Sequence, residues 1–404
     1  MARTQFAMDE ASCHFDALEG PRSAINLKHR LGSVVVIAIM AVLAQASGPT
    51  GIALWARCNE EFLKSLLPLP NGIPGKDVFR RVLCALNPDA FQRCFTAWVK
   101  TMVAEAAEAT QSNQPTLAVD GKTLGRSHDA KKGLGPLHSV AVWASEYGIT
   151  LAQVATDHKS NEITAIPQVL QLVDMKGAVI TIDAMGAQKA IASQIVEGGG
   201  HYVLALEGNQ EKLREAVLDR VIAQLENDCA GGNVRRHVTK ETGHGRTETR
   251  EYIQMPAPKT LPGLGNWKKR LTIGAVFVAC VRSGKETTEM RLFLSSLPLG
   301  VKRFAKAVRN HWGIENRCHW SLDLTYREDE SRIRDEHARE NFAWLNRITL
   351  SLLKQHSGKT SLIMKRRSCA WNAKCILEVL GAQGSWLPLA LLFPTSPGHR
   401  SGPE

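Results

Sequence analysis

Residues 178–207 read AVITIDAMGAQKAIASQIVEGGGHYVLALE, and they decide the fold. Ala178 to Ile182 is an apolar strand that ends in Asp183; a helix follows from Gln188 to Val196, and a second strand, HYVLALE, opens at His201. Two strands joined through a helix form a parallel-type unit. Upstream, Asn161 to Asp174 has helical spacing in Ile163, Ile166, Val169, Leu170 and Val173. Before that helix, HSVAVWAS (138–145) and ITLAQVAT (149–156) flank the turn Glu146-Tyr147-Gly148 as a hairpin. TLAV (116–119) is a short strand ending in Asp120-Gly121-Lys122. Three meandering strands, a helix and the strand–helix–strand unit make an α/β fold, a mixed sheet with helices packed on it.

Outside this core the texture changes on both sides. From 208 to 289 a charged helix (Glu211 to Glu226), a polar Arg/His-rich stretch and the β-rich LTIGAVFVACV read as an inserted subdomain. Strand texture resumes at Met290, so 116–207 and 290–356 are the two parts of the core. Residues 29–110 form a helical N-terminal domain, with Asn87-Pro88 as a helix start and Phe91, Phe95, Trp98 and Met102 on one stripe. The turn PLPNGIPG precedes a helix carrying Arg80 and Arg81; a DNA-binding helix-turn-helix and a plain packing module fit it equally. Residues 1–28 read as a polar arm, 111–115 as a linker, and 357–404 as a tail, partly disordered at its Pro/Gly/Ser-rich end. Phe342, Leu345, Thr349 and Leu352 mark one more amphipathic helix.

Composition narrows the class. The 404 residues carry 50 Lys and Arg against 39 acids, a formal charge of +11, which points to a polyanionic partner such as nucleic acid. Nine cysteines without a C-x-x-C pair argue against a zinc ribbon and for a reducing compartment. The longest apolar run, Leu31 to Ala44, is shorter than the ~20 residues a spanning helix needs and reads as a core helix. No membrane segment or secretory signal is expected, and the protein is expected in the cytoplasm.

The chemistry concentrates in 309–334, RNHWGIENRCHWSLDLTYREDESRIR. Read as a helix, it sets His311, Glu315 and His319 four apart on one face, beside Trp312 and Trp320 and among Arg309, Arg317, Arg327, Arg332 and Arg334. Such a face suits a cation or a phosphate; the plain alternative is a solvated helix with its tryptophans in the core. Asp120 and Asp183 each follow an apolar strand and are candidates to share a crevice with Glu315, although Asp at a strand end is often only a turn residue. Three carboxylates from separate elements suit Mg²⁺.

The blocks LAVDGKTLGRS, DHKSNEITAIPQVLQLVDMKGAVITIDAMGAQ, YVLALEGNQ, GHGRTETR and the 309–334 stretch resemble the ISAs-type insertion-sequence DDE transposases, the group that includes the H-repeat-associated proteins. NGIPGKDVFRRVLCALNPDAFQRCFTAWV resembles the helical domain preceding their catalytic domain, and the likeness runs from about Phe15 to about Leu380. The resemblance implies an RNase H-like core with an insertion between its second and third acidic residues. It places those residues at Asp120, Asp183 and Glu315, as ligands of two Mg²⁺ ions, with Mn²⁺ able to substitute. It implies double-stranded DNA as partner, both element ends and target, and a dimer or higher assembly on paired ends, associated with the bacterial nucleoid when bound.

Around the triad, Lys122, Arg126, Lys159 and Arg309 are candidates for phosphate contacts. Trp312 is a candidate to stack on a distorted base, or else to pack in the core. His311 and His319 are candidates to steer DNA rather than bind Mg²⁺, which prefers oxygen. Asn161, Glu162 and Asn316 are candidates to orient the site from behind, with a helix cap as the plain reading of Asn161. Related transposases carry a Tyr-Arg-Glu-Lys pattern around the glutamate; here Val308 and His311 precede Glu315 and Leu322 follows it, so the roles of that Tyr and Lys do not transfer. The tail beyond about Leu380 lies outside the resemblance. Two alternatives stay open: a catalytically silent DNA-binding relic, and a zinc phosphohydrolase built on His311, Glu315 and His319.

Overall fold

The thirteen residues Leu31–Leu43 carry no charge, and every one is buried in helix α1, as the apolar run predicts. This computed structural model describes residues 28–104, 115–156, 162–227, 233–243 and 245–381. The expected arm, the linker apart from Pro115, and the tail beyond residue 381 lie outside these, as do the side chains of Trp98 and Met102. α2 (Pro49–Cys58) starts on its proline and is followed by α3 (Glu60–Lys64). α4 (Lys76–Ala85) buries Phe79, Val82 and Leu83 and leaves Arg80 and Arg81 on its solvent side. α5 (Pro88–Ala104) begins where Asn87 Oδ1 accepts the Ala90 N–H at 2.9 Å, the cap expected of Asn-Pro.

The sheet follows. β1 (Thr116–Leu124), β2 (Leu137–Ala144) and β3 (Ile149–Thr156) form an antiparallel meander whose second turn uses Gly148 at φ +70°. α6 (Glu162–Gln171) packs on β2 and β3, and leads to β4 (Val179–Ile182), α7 (Lys189–Glu197) and β5 (His201–Leu206). β1, β4 and β5 are mutually parallel. β1 does not stop at Asp120, as the sequence suggested. It runs on against β2 to the pair Leu124↔Leu137, whereas its pairing with β4 ends at Val119↔Ile182. A crevice therefore opens beside Asp120.

α8 (Glu211–Glu226) is followed by β6 (Arg235–Gly243), β7 (Arg246–Pro256), β8 (Thr272–Arg282) and β9 (Lys285–Ser295). These strands extend the same sheet, in the order β3-β2-β1-β4-β5-β9-β8-β7-β6. The division expected at 289/290 thus falls inside β9, because a strand pairing with β5 at one end and projecting at the other is a single rod.

α9 (Val301–Gly313) packs against β1, β4 and β7. Gly274 on β8 admits it: a Cβ there would stand 2.5 Å from Phe304 Cζ. A π turn (Ile314–His319) and α10 (Trp320–Tyr326) continue this helix, which ends at Arg327, φ +53°. α11 (Glu336–Gln355), capped by Asp335, packs against β3 and against α1, α4 and α5, joining sheet and N-terminal helices. α12 (Leu362–Trp371) and α13 (Ala373–Val379) complete the described chain. Among the described residues no helix is long and apolar enough to cross a membrane.

Candidate active site

The parallel register sets Asp120, midway along β1, and Asp183, just past the end of β4, side by side beyond the last β1–β4 pair. Asp120 Oδ1 accepts the Gly121 N–H at 2.8 Å, and Asp183 Oδ1 accepts the Gly186 N–H at 3.3 Å. The loop after Asp183 is held by Asn209, which donates to the Ala184 carbonyl, and by Gln210, which donates to that of Ala187.

Glu315 arrives from the other direction, on the π turn at the end of α9. A π turn admits one extra residue per hydrogen-bonded ring and so changes which side chains share a face. The row His311, Glu315, His319 is broken by it. His311 points to β4, with Nδ1 3.0 Å from Thr181 Oγ1, while Glu315 and His319 turn toward β1. His319 Nδ1 lies 3.2 Å from Glu315 Oε2 and 3.6 Å from Asp120 Oδ2. One ligand atom from each of Asp120, Glu315 and His319 falls within 4.8 Å of the others.

The electrostatics match this crowding. Burial raises the Asp120 carboxyl to about 6, the nearby charges of Asp183 and Glu315 add to the rise, and His319 opposes it. Burial also raises Asp183, with Glu162 and Glu207 reinforcing the shift. Glu315 is lowered, first through its hydrogen bond with His319. Burial and the Arg291 charge bring His311 down to about 4, so it is neutral at ordinary pH. Asp120 and Glu315 meet beside His319, and Asp183 lies near enough for its charge to act on Asp120. Two of these carboxylates carry costly charges, which suits a divalent cation that takes oxygen donors and neutralises that charge.

The other predicted residues divide. Glu162 is buried, its Oε1 2.8 Å from His138 Nε2, and it lies directly under Gly121: a Cβ there would stand 2.3 Å from the same oxygen. It supports the backbone beside Asp120. Lys122 is not available to phosphate, because it is buried and paired with Asp323 and Asp329. Arg126 is exposed. Arg309 is exposed and paired with Glu241 on β6. Trp312 is half-buried under the Arg291 guanidinium, 4.2 Å from its ring centroid. Asn316 donates to the Trp312 carbonyl at 2.9 Å, back along its own helix and not to the carboxylates. Lys159 and Asn161 lie outside the described residues. Val308 and Leu322, at the departures from the family pattern, are buried and anchor the helix to the core. Sequence reasoning missed Glu207, Thr181, Arg291 and the Asp323–Asp329 pair; only Glu207, closing the strand HYVLAL, carried the strand-end signal that marked the aspartates.

Residues 111–352 match the family model described as the transposase DDE domain, and residues 12–99 match the DDE_Tnp_1-associated domain. The chain belongs to the insertion-sequence DDE transposases. It is 32% identical to the "H repeat-associated putative transposase YhhI" of Escherichia coli (strain K12), over 92% of this chain and 97% of that one. It is 36% identical to the "Putative transposase YncI" of Escherichia coli O157:H7, over 88% and 90%. A solved piggyBac transposase synaptic complex with hairpin DNA aligns over 99% of this chain and 86% of that one, at 11% identity and a TM-score of 0.39, too loose to add to the argument. This transposase has the RNase H-like arrangement of its family, a mixed sheet flanked by helices, and is a nuclease-type enzyme of transposition. The zinc alternative loses its basis, since His311 stands apart from Glu315 and His319. The relic reading is not favoured either, since the transposase DDE domain is matched across 111–352 and the relatives are named transposases.

Proposed function

We propose that the transposase cuts its element's ends and joins them to target DNA with Asp120, Asp183 and Glu315 as the ligands of Mg²⁺, Mn²⁺ substituting. The observation that carries this reading is that Asp120 on β1 meets Glu315 from the π turn, elements far apart in the chain, while the β1–β4 register brings Asp183 up next to Asp120. When bound, such ions polarise the attacking hydroxyl and stabilise the departing oxygen of a phosphodiester. The chain's own part is placement. β1 and β4 fix the aspartates by register, and His319 holds Glu315 toward Asp120.

DNA has a place beside the triad. A cavity of about 900 Å³ reaches Glu315 and is lined by Arg246, Arg250, Arg291, Arg309, Arg317 and Trp312, among others. Guanidinium groups position phosphates, and the indole offers a face to a base. Arg126, exposed two residues past the end of β1, is a further phosphate contact. A dimer or larger assembly holds the paired ends, in the bacterial cytoplasm and on the nucleoid.

The test is nicking of a labelled duplex carrying the element's end, in Mg²⁺ or Mn²⁺, by wild type and Asp183→Ala. Metal-dependent cleavage at the end, reduced at least 1000-fold in the variant with DNA binding kept, is the expected result. Equal cleavage by the variant would remove Asp183 from the site. Binding without cleavage by the wild type in either metal would restore the relic reading.

A further inference from the structure

Lys122 lies two positions past Asp120 on β1 and is only 7% exposed. Its Nζ stands 2.5 Å from Asp323 Oδ1 and 3.2 Å from Asp329 Oδ1. Asp323 belongs to α10, which continues directly from the π turn bearing Glu315, and Asp329 lies on the 3-10 turn Glu328–Glu330 just after it. The neighbouring Glu328 is 1% exposed, 3.7 Å from Arg347 Nη1 and 3.2 Å from Asn346 Nδ2, and Arg347 Nη2 donates to Ser139 Oγ on β2. An ionic network thus runs from the strand carrying Asp120, through the segment following Glu315, to α11, buried at Lys122 and at the Glu328–Arg347 end and open to solvent at Asp323 and Asp329. Burial alone would lower the Lys122 ammonium, but Glu328, Asp323 and Asp329 outweigh it and hold it above the ordinary range.

We infer that Lys122 is a positioning residue that clamps the Glu315-bearing helix onto the Asp120-bearing strand and so fixes the spacing of two metal-binding carboxylates. The inference rests on the reading of Asp120 and Glu315 as ligands. Without the ammonium, Asp323 and Asp329, about one-third and one-half exposed, have no cation between them, and their repulsion, weakened by solvent, is relieved when α10 moves off β1. Glu315 moves with α10, because the helix is continuous. Groups that orient metal ligands from behind typically change metal affinity 10- to 100-fold when removed.

The experiment measures Mn²⁺ binding by calorimetry and DNA binding by gel shift in EDTA, on the full-length protein. Lys122→Met is expected to weaken Mn²⁺ binding at least 10-fold while leaving DNA affinity in EDTA within twofold. Adding Asp323→Asn and Asp329→Asn is expected to recover part of the loss, since the repelling charges go too. Mn²⁺ binding by Lys122→Met equal to wild type overturns the clamp, as does a fall in its EDTA binding to DNA with a shallower salt dependence, the sign of a phosphate contact. Asp120→Asn is the control. If it binds Mn²⁺ as wild type does, the ligand reading itself fails and the clamp with it; if it loses binding while Lys122→Met does not, the clamp alone fails. Should Lys122→Met not fold, Asp323→Asn carries the test, with weaker Mn²⁺ binding expected and unchanged binding fatal to the clamp.

Discussion

Glu340, on α11, is half-buried near Asp89 at the start of α5. Burial pushes its carboxyl up to about 7 and Asp89 adds to the rise, against the opposing charges of Arg339 and Arg347. The folded protein therefore keeps a proton that the unfolded chain releases near 4.5. The associated stability is fully present below about 4.5 and is lost as pH rises through about 7. A shift of this size corresponds to about 3 kcal/mol at most, and partial exposure reduces it to roughly 1–2 kcal/mol. Glu340→Gln is expected to melt with wild type at pH 4.5 and several degrees above it at pH 8; coincident melting at both pH values would refute the assignment. The residue scale also shows what a sequence reveals of a site. Asp120 and Asp183 stand out because each ends an apolar run, TLAV and AVITI. The role of Lys122 is hidden, because its partners lie 201 and 207 positions further along and no local pattern marks them.

Among the elements, α11 ties the N-terminal helices to the sheet, and Asn341 is its polar fastener. Fully buried, it donates from Nδ2 to the carbonyls of Leu83 and Leu86, each at 2.9 Å. These carbonyls close α4, where the helix supplies no donors of its own. Asn341→Leu leaves both acceptors buried without their donor, and a loss of about 2–3 kcal/mol is expected in chemical denaturation. A wild-type denaturation midpoint would show that the fastener does not matter. Elements with strong periodicity were readable: the charged helix predicted over Glu211–Glu226 is α8 with those ends. β6 was not, since its side chains are mostly exposed, nor was the far half of β7, whose side chains are mostly half-buried; neither leaves a period of two to read. The continuation of β1 was masked by Asp-Gly-Lys, which reads as a turn until β2 pairs alongside it. Nothing in the sequence marked the π turn, so the helix was read straight through and His311 was given a neighbour it does not have.

For the whole molecule, the formal charge of +11 indicates a polyanionic partner without saying where it binds. Location comes from topology. β9 pairs with β5 from Val203↔Ser295 to Leu206↔Leu292, and this brings the outer strands beside α9, so that arginines distant in sequence line one cavity reaching Glu315. Arg309 lies on α9 before Glu315, and Arg317 on the same π turn as Glu315. Arg309 is held by Glu241 and Arg317 by the Ser145 carbonyl, so each can exchange a protein partner for a phosphate oxygen when DNA enters. Each phosphate contact made by such a group releases condensed counterions and adds about 0.9 to the slope of log binding constant against log salt on duplex DNA. Arg309→Gln with Arg317→Gln is therefore expected to reduce that slope by about 2, weakening binding at low salt to a similar degree on element-end and unrelated duplexes. Fluorescence anisotropy across a salt series in EDTA measures it without cleavage. An unchanged slope would place the duplex elsewhere on the molecule, whereas a loss confined to the element's end would make these arginines readers of sequence instead of backbone contacts.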